Sequence, residues 1–187
     1  MAILGDLGVI VVHIRKARPA DWEACMALDH TSVTEYALRM QERERGEGIA
    51  VTFQSVRLPR PLKLRYPRQD KALTAGWERC DLFLVAQSGL DTCGYITAQE
   101  LKGHGIVWIQ DLVVAPDWRR RKLGTDLLRR AADWARQRRL RRLVVEVQTN
   151  NHPGICFCRS QGLTFCGFND QHWRNQDIAV LYGQNLR

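Results

Sequence analysis

The 187-residue chain is defined first by what it lacks. No apolar run reaches the roughly 18–20 residues needed to cross a bilayer, so no transmembrane helix is expected. Met1–Ile14 is apolar in part, but Asp6 and the want of an early basic region argue against a signal peptide. Six cysteines are present, at 25, 80, 93, 156, 158 and 166, yet none forms a Cys-x-x-Cys pair. A structural zinc site or a thioredoxin-like motif is therefore not expected, no metal is assigned, and reduced thiols in a cytoplasmic protein are the expectation. Internal repeats and low-complexity segments are also absent, and an ordinary composition, 45% hydrophobic and 26% charged, excludes long disorder and collagen-like structure as whole-chain readings.

Acidic surplus is likewise missing: 28 Lys and Arg face 20 Asp and Glu, for a net charge of +8. The surplus is concentrated. Residues 119–142 hold 11 basic residues against Asp126 and Asp133, and residues 57–71 hold six against Asp70. The remainder is net acidic, at −6. Such basic runs are read either as a solvated helix face with a basic loop, or as a surface for phosphate or nucleic acid.

Local patterning predicts a mixed α/β (α+β) fold in one domain, 1–187, with a variable segment at about 29–79. Val9–Ile14 is β-branched and reads as a strand. Pro19 opens a helix with Trp22, Cys25 and Met26 on one face. Ser32–Arg45 reads as a second helix stopped by Gly46 and Gly48, then Ile49–Leu58 as a strand. Pro59, Pro61 and Pro67 predict an irregular basic loop. Strands at Leu82–Ala86, Gly94–Gln99 and Val107–Val114, with short turns between, form an antiparallel meander. A helix over 123–139 buries Leu123, Leu127, Leu128, Ala131 and Ala135, with Asp126/Arg130 and Arg129/Asp133 spaced to pair. The strand Leu143–Val147 then lies parallel to the third meander strand. A short helix over His152–Gln161, ended by Gly162, and strands at Leu163–Phe168 and Ile178–Tyr182 complete the chain.

The stretch from Val113 to Thr125 reads either as an ordinary basic helix start or as an anion site. A buried strand ends, Arg119, Arg120, Arg121 and Lys122 follow, and a helix begins with Leu123, Gly124 and Thr125. A helix start offers unpaired N–H groups and the positive end of a dipole, which suit a pyrophosphate.

The order Leu112-x-Val114-x-Pro116-x-Trp118-Arg119-x-x-Lys122-x-Gly124-x-x-Leu127-Leu128 resembles the acetyl-CoA-binding motif of the GNAT superfamily of N-acetyltransferases. Lys122 stands where that pattern has its first glycine. Asn151-x-x-Gly154-x-x-Phe157-Cys158-x-x-x-Gly162-Leu163 resembles the family's second signature, one strand further on. The last third also resembles the streptothricin-acetyltransferase-like branch, through Glu146-x-Gln148, Asn150-Asn151, Gly167-Phe168 and Asp177-Ile-Ala179. The resemblance covers about residues 80–187 well, and 9–28 loosely.

That resemblance implies a mostly antiparallel central sheet flanked by helices, with a parallel β-α-β unit at the cofactor site. It implies direct acetyl transfer from acetyl-CoA to a primary amine of a small molecule or protein. Leu112, Val113 and Val114 would meet the pantetheine, and Arg119–Thr125 the pyrophosphate. Asn151, Gly154 and Phe157 would lie near the cofactor. A homodimer through the C-terminal strand is possible in such a family.

The acid–base candidates are less uniform. The usual leaving-group tyrosine maps onto Cys158, which is either a thiol acid or a packing residue. A glutamate often found on the cofactor strand is Gln110 here, leaving Asp111 and Glu146 as carboxylate candidates for the base. His172-Trp173 is either a substrate contact or a surface histidine beside a core-covering tryptophan. Glu35, Glu42, Glu44 and Glu47 either attract a cation or solvate a helix. Two other functions stay open at this point: a nucleic-acid-binding module using residues 119–142, and a CoA-binding protein without catalysis.

Overall fold

Strand order fixes the architecture. A computed structural model of the chain describes residues 2–5, 8–68, 71–173 and 177–186. Asp6 and Asp70, used above, lie outside the described residues. The elements are β1 (Ala2–Gly5), β2 (Gly8–Val11), β3 (His13–Lys16), α1 (Trp22–Met26), β4 (Ser32–Arg45), β5 (Gly48–Leu64), α2 (Lys71–Arg79), β6 (Leu82–Ser88), β7 (Asp91–Leu101), β8 (Ile106–Val114), α3 (Leu123–Gln137), β9 (Arg142–Gln148), α4 (His152–Ser160), β10 (Thr164–Asn169) and β11 (Ala179–Asn185). Seven strands form one sheet in the order β10-β11-β9-β8-β7-β6-β3, beside two-stranded sheets β1-β2 and β4-β5. Pairings β3–β6, β6–β7 and β7–β8 are antiparallel, and β8–β9 is parallel. The expected mixed, mostly antiparallel sheet with a β-α-β unit is present. None of the helices is long and apolar enough to cross a membrane, among the described residues.

The chain divides into two compact units. The first comprises residues 1–30, 68–145 and 183–187. Its core holds Val85, Tyr95, Ile96, Val107, Ile109, Leu123, Leu127 and Leu143, all fully buried. The α3 stripe is buried as its spacing predicts, whereas Met26 on α1 is exposed. The arginine pairs on α3 close at three residues rather than four: Arg129 to Asp126 and Arg136 to Asp133, both at 2.8 Å. Helix α2 was not anticipated from the sequence, although it buries Leu73 and Trp77. The strand expected over Val9–Ile14 is divided at Val12 between β2 and β3.

The second unit comprises residues 31–67 and 146–182. Here two expectations fail. Ser32–Arg45 is strand β4, not a helix, and pairs with β5 from Ser32↔Leu64 to Arg45↔Gly48. The glycine read as a helix stop serves instead in the two-residue turn Gly46-Glu47, with Gly46 at φ +59°. Short-range pairing across that turn outweighs the helix preference of Ala37–Arg45. Glu35, Glu42 and Glu44 therefore lie on a strand and Glu47 in its turn, not on a helix.

The second failure concerns the prolines. Strand β5 continues through Pro59 and Pro61 instead of breaking into a loop. The register jumps there, from Thr34↔Leu62 to Tyr36↔Arg57, so Leu58–Pro61 bulge opposite Glu35 alone. A bulge asks no ladder hydrogen bond of a proline. Phe53 of β5 packs on Phe165 and Phe168 of β10 at ring separations of 5.6 and 5.4 Å.

Candidate active site

In the first unit the parallel register of β8 and β9 runs from Ile106↔Arg142 to Ile109↔Val145, while β8 itself continues to Val114. Gln110 falls at a register shift, since Thr97 pairs with Asp111 but Ala98 with Ile109. Bulges of this kind re-aim side chains beside functional sites. The Gln110 amide donates to Gln99 Oε1 at 3.1 Å.

Asp111 is 2% exposed and both of its oxygens are engaged. Arg68 Nε donates to Oδ1 at 3.2 Å, and Thr97 Oγ1 to Oδ2 at 2.7 Å. Arg68 also donates to the Gln110 carbonyl. Beside this pair, His30 Nδ1 lies 2.6 Å from the Leu28 carbonyl, which can only accept, so Nδ1 carries the proton. Nε2 then accepts from the Tyr95 hydroxyl at 2.9 Å. Burial lowers the His30 pKa and raises that of the Tyr95 phenol, so both are neutral at physiological pH. Sequence reading missed Arg68, His30 and Tyr95. Only the alternation that buries Tyr95 with Thr97 was a signal for them.

The loop from β8 to α3 has an unusual backbone. Arg120 and Lys122 both adopt left-handed conformations, at φ 62° and 65°. Lys122 is the N-cap of α3 and its side chain makes no capping bond. The amides of Leu123, Gly124 and Thr125 in the first turn are therefore not capped from that side chain. Left-handed and right-handed residues in succession form a concave nest of N–H groups suited to an anion. Arg119 has a bracing role: its Nε donates to the Val114 carbonyl at 2.9 Å and an Nη to the Asp29 carbonyl at 3.2 Å. Arg121 lies over the Trp118 ring at 5.6 Å. Val113 and Leu123 are buried, whereas Leu112, Val114, Gly124 and Thr125 are half-buried and Arg120, Arg121 and Lys122 exposed. Of the remaining arginines of the basic segment, Arg129 and Arg136 are met by acids on α3, and Arg138 by Glu100 at 3.0 Å.

In the second unit, Asn151 caps α4 by accepting from the Gly154 amide at 3.0 Å. A β-carbon on Gly154 would stand 2.9 Å from Asn151 Nδ2, so a larger residue there would push the capping side chain aside. Phe157 is half-buried. Cys158 is 1% exposed, and burial pushes its thiol up to about 12. Cys156, two residues earlier, is exposed, as opposite helix faces predict. Glu146 accepts from His172 Nε2 at 2.7 Å. Gln148 and Asn150 both donate to Asp177, at 2.5 and 3.3 Å. Trp173 is buried and meets the His172 ring edge-on at 4.8 Å.

Comparison with known proteins bears on the family and the fold. A family model described as the acetyltransferase (GNAT) family matches residues 52–163. Streptothricin acetyltransferase of Streptomyces lavendulae is 31% identical over 160 residues, which are 83% of this chain and 82% of that protein. Among solved structures, nourseothricin acetyltransferase superposes with a TM-score of 0.81 at 24% identity, over 94% of this chain and 99% of its own. A Bacillus anthracis str. Ames protein assigned as a streptothricin acetyltransferase, solved with acetyl coenzyme A, gives 0.75 at 16% identity, over 94% and 99%. At those identities the two structures speak for the fold.

Proposed function

Because the chain belongs to the acetyltransferase (GNAT) family and takes acetyl-CoA as its acetyl donor, we propose that its acceptor is a streptothricin-like small-molecule amine. The activity rests on one observation above all: the left-handed Lys122 backbone that opens the first turn of α3. The acceptor class rests on the likeness to the Streptomyces lavendulae protein.

The residues fit the donor. The amides of Leu123, Gly124 and Thr125 receive the pyrophosphate, with Arg120, Arg121 and Lys122 as cations around it. Arg119 holds the loop in shape through its two carbonyl contacts. Backbone groups of Leu112, Val113 and Val114 hold the pantetheine arm. In the second unit, taken by itself, Asn151 caps α4 on the Gly154 amide and Phe157 is half-buried. Acetyl-CoA supplies an activated thioester. The protein then has to position an amine and take its proton, and positioning provides much of the rate.

Of the candidate acid–base groups, Glu146 is the one we assign to proton handling. Asp111 has both oxygens engaged by Arg68 and Thr97 and anchors Arg68 in this reading. Cys158 fills the buried side of α4.

The test is direct. Purified protein is mixed with acetyl-CoA and streptothricin, thiol release is followed, and the product is identified by mass spectrometry. Acetylated streptothricin with matching thiol release is expected. Binding of acetyl-CoA without turnover on streptothricin overturns the acceptor assignment.

A further inference from the structure

Outside the cofactor loop, one pair of titratable side chains has the geometry of a working base. His172 Nε2 lies 2.7 Å from Glu146 Oε2. A carboxylate accepts hydrogen bonds and cannot donate them, so the proton between them sits on Nε2. In the neutral imidazole this leaves the lone pair on Nδ1, which has no partner among the described residues. The two side chains differ in exposure as a base and its orienting group should: His172 is 26% exposed and Glu146 only 3%.

We infer that His172 is the proton acceptor for the incoming amine and that Glu146 is its positioning residue. This deepens the reading above and rests on it. The arrangement repeats the logic of a base held in one tautomer by a buried carboxylate, which also stabilises the imidazolium once formed.

Several features converge on the pair. Glu146 is the first residue of β9 past its last pairing with β8, at Val145. It shares a strand face with Gln148, whose amide is fixed by Asp177. Asn150 presents a buried Oδ1 with no hydrogen-bond partner among the described residues. Trp173 closes one side of the imidazole ring.

The chemistry balances. Nδ1 of His172 takes one proton from the substrate ammonium. The freed amine attacks the thioester carbonyl carbon, a C–N bond forms and the C–S bond breaks. The departing thiolate takes the second proton from the amine nitrogen of the tetrahedral intermediate. The imidazolium returns its proton to water.

Two measurements test the assignment. Nitrogen NMR of the labelled enzyme reads the His172 tautomer without any acceptor: a protonated Nε2 is expected, and a protonated Nδ1 overturns the inference. In turnover with streptothricin, His172→Ala is expected to lower kcat by on the order of 100-fold with little change in KM, and added imidazole to restore part of it. Glu146→Gln is expected to lower kcat by about tenfold or more while His172 remains in place. Wild-type turnover by His172→Ala, or a loss that imidazole leaves untouched, overturns the inference. Acetyl-CoA affinity equal to wild type certifies that the variant is folded. If the wild-type enzyme leaves streptothricin unmodified, the acceptor proposal fails, and the tautomer still judges the pair.

Discussion

Half-buried Arg68 and buried Asp111 form an ion pair at 3.2 Å, and the two stand 43 residues apart in sequence. Thr97 completes it from the neighbouring strand. Removing Arg68 leaves the buried Asp111 carboxylate with less compensation for its charge. Arg68→Ala is expected to cost roughly 3–5 kcal/mol of stability. The double change Arg68→Met with Asp111→Leu should recover most of that loss. Urea unfolding of the three proteins measures both effects.

Helices α3 and α4 end in the same hydrogen-bond pattern. Leu140 N bonds to the Ala135 carbonyl and Leu163 N to the Cys158 carbonyl, at 3.0 and 3.1 Å. The left-handed position is Gly162 in one and Arg139 in the other. A side chain there costs roughly 1–2 kcal/mol. Arg139→Gly should therefore raise the melting temperature and Gly162→Ala lower it, in thermal unfolding followed by circular dichroism.

Lys122 carries the same conformational cost in the cofactor loop. Lys122→Gly should stabilise the protein by about 1 kcal/mol. If the first-turn amides hold the pyrophosphate, its Kd for acetyl-CoA stays within about a factor of ten, a loss of no more than ~1.4 kcal/mol. Calorimetric titration with acetyl-CoA checks this. A larger loss would assign the affinity to the lysine side chain.

Two groups give the stability a pH dependence of known sign. The side-chain hydrogen bond from Arg15, at 2.7 Å, holds Asp21 below the ordinary carboxylate range. Burial holds His30 below the ordinary histidine value. In both cases the unfolded chain binds the proton more readily. The His30 contribution is thus fully present above about pH 6.5 and is lost as pH falls through the folded value. That of Asp21 is lost in the same way below about pH 4. His30→Gln should flatten the upper limb of a stability profile and Asp21→Asn the lower one.

Cys158→Ala is expected to leave kcat unchanged and to lower stability by roughly 1 kcal/mol, as a small core truncation does. A large fall in kcat with stability preserved would restore the thiol to the mechanism.

How much of this was legible in the sequence depended on the range of the interactions. The meander, α3 and the parallel strand were readable because alternation and the i, i+4 stripe are local properties. The β4–β5 hairpin was not. Ala37–Arg45 has the composition of a helix, and only its partners across Gly46-Glu47, three (Arg45↔Gly48) to nineteen (Ala37↔Val56) residues away, make it a strand. The cofactor loop was legible as a motif, though its left-handed Arg120 and Lys122 were not, because neither residue type signals that conformation. Glu146 and His172 were each noticed singly. Their contact joins residues 26 apart, and no local pattern encodes it.

The bulge of β5 has a further consequence for the molecule in a crowded solution. Pairing with β4 on one side leaves β5 an outer edge, and such an edge invites another chain to add to it. Pro59 and Pro61 have no N–H to offer along that edge, and Arg57, Arg60 and Lys63 place positive charge beside them. The same residues that disguise β5 as a loop in the sequence guard the folded protein against strand-by-strand aggregation.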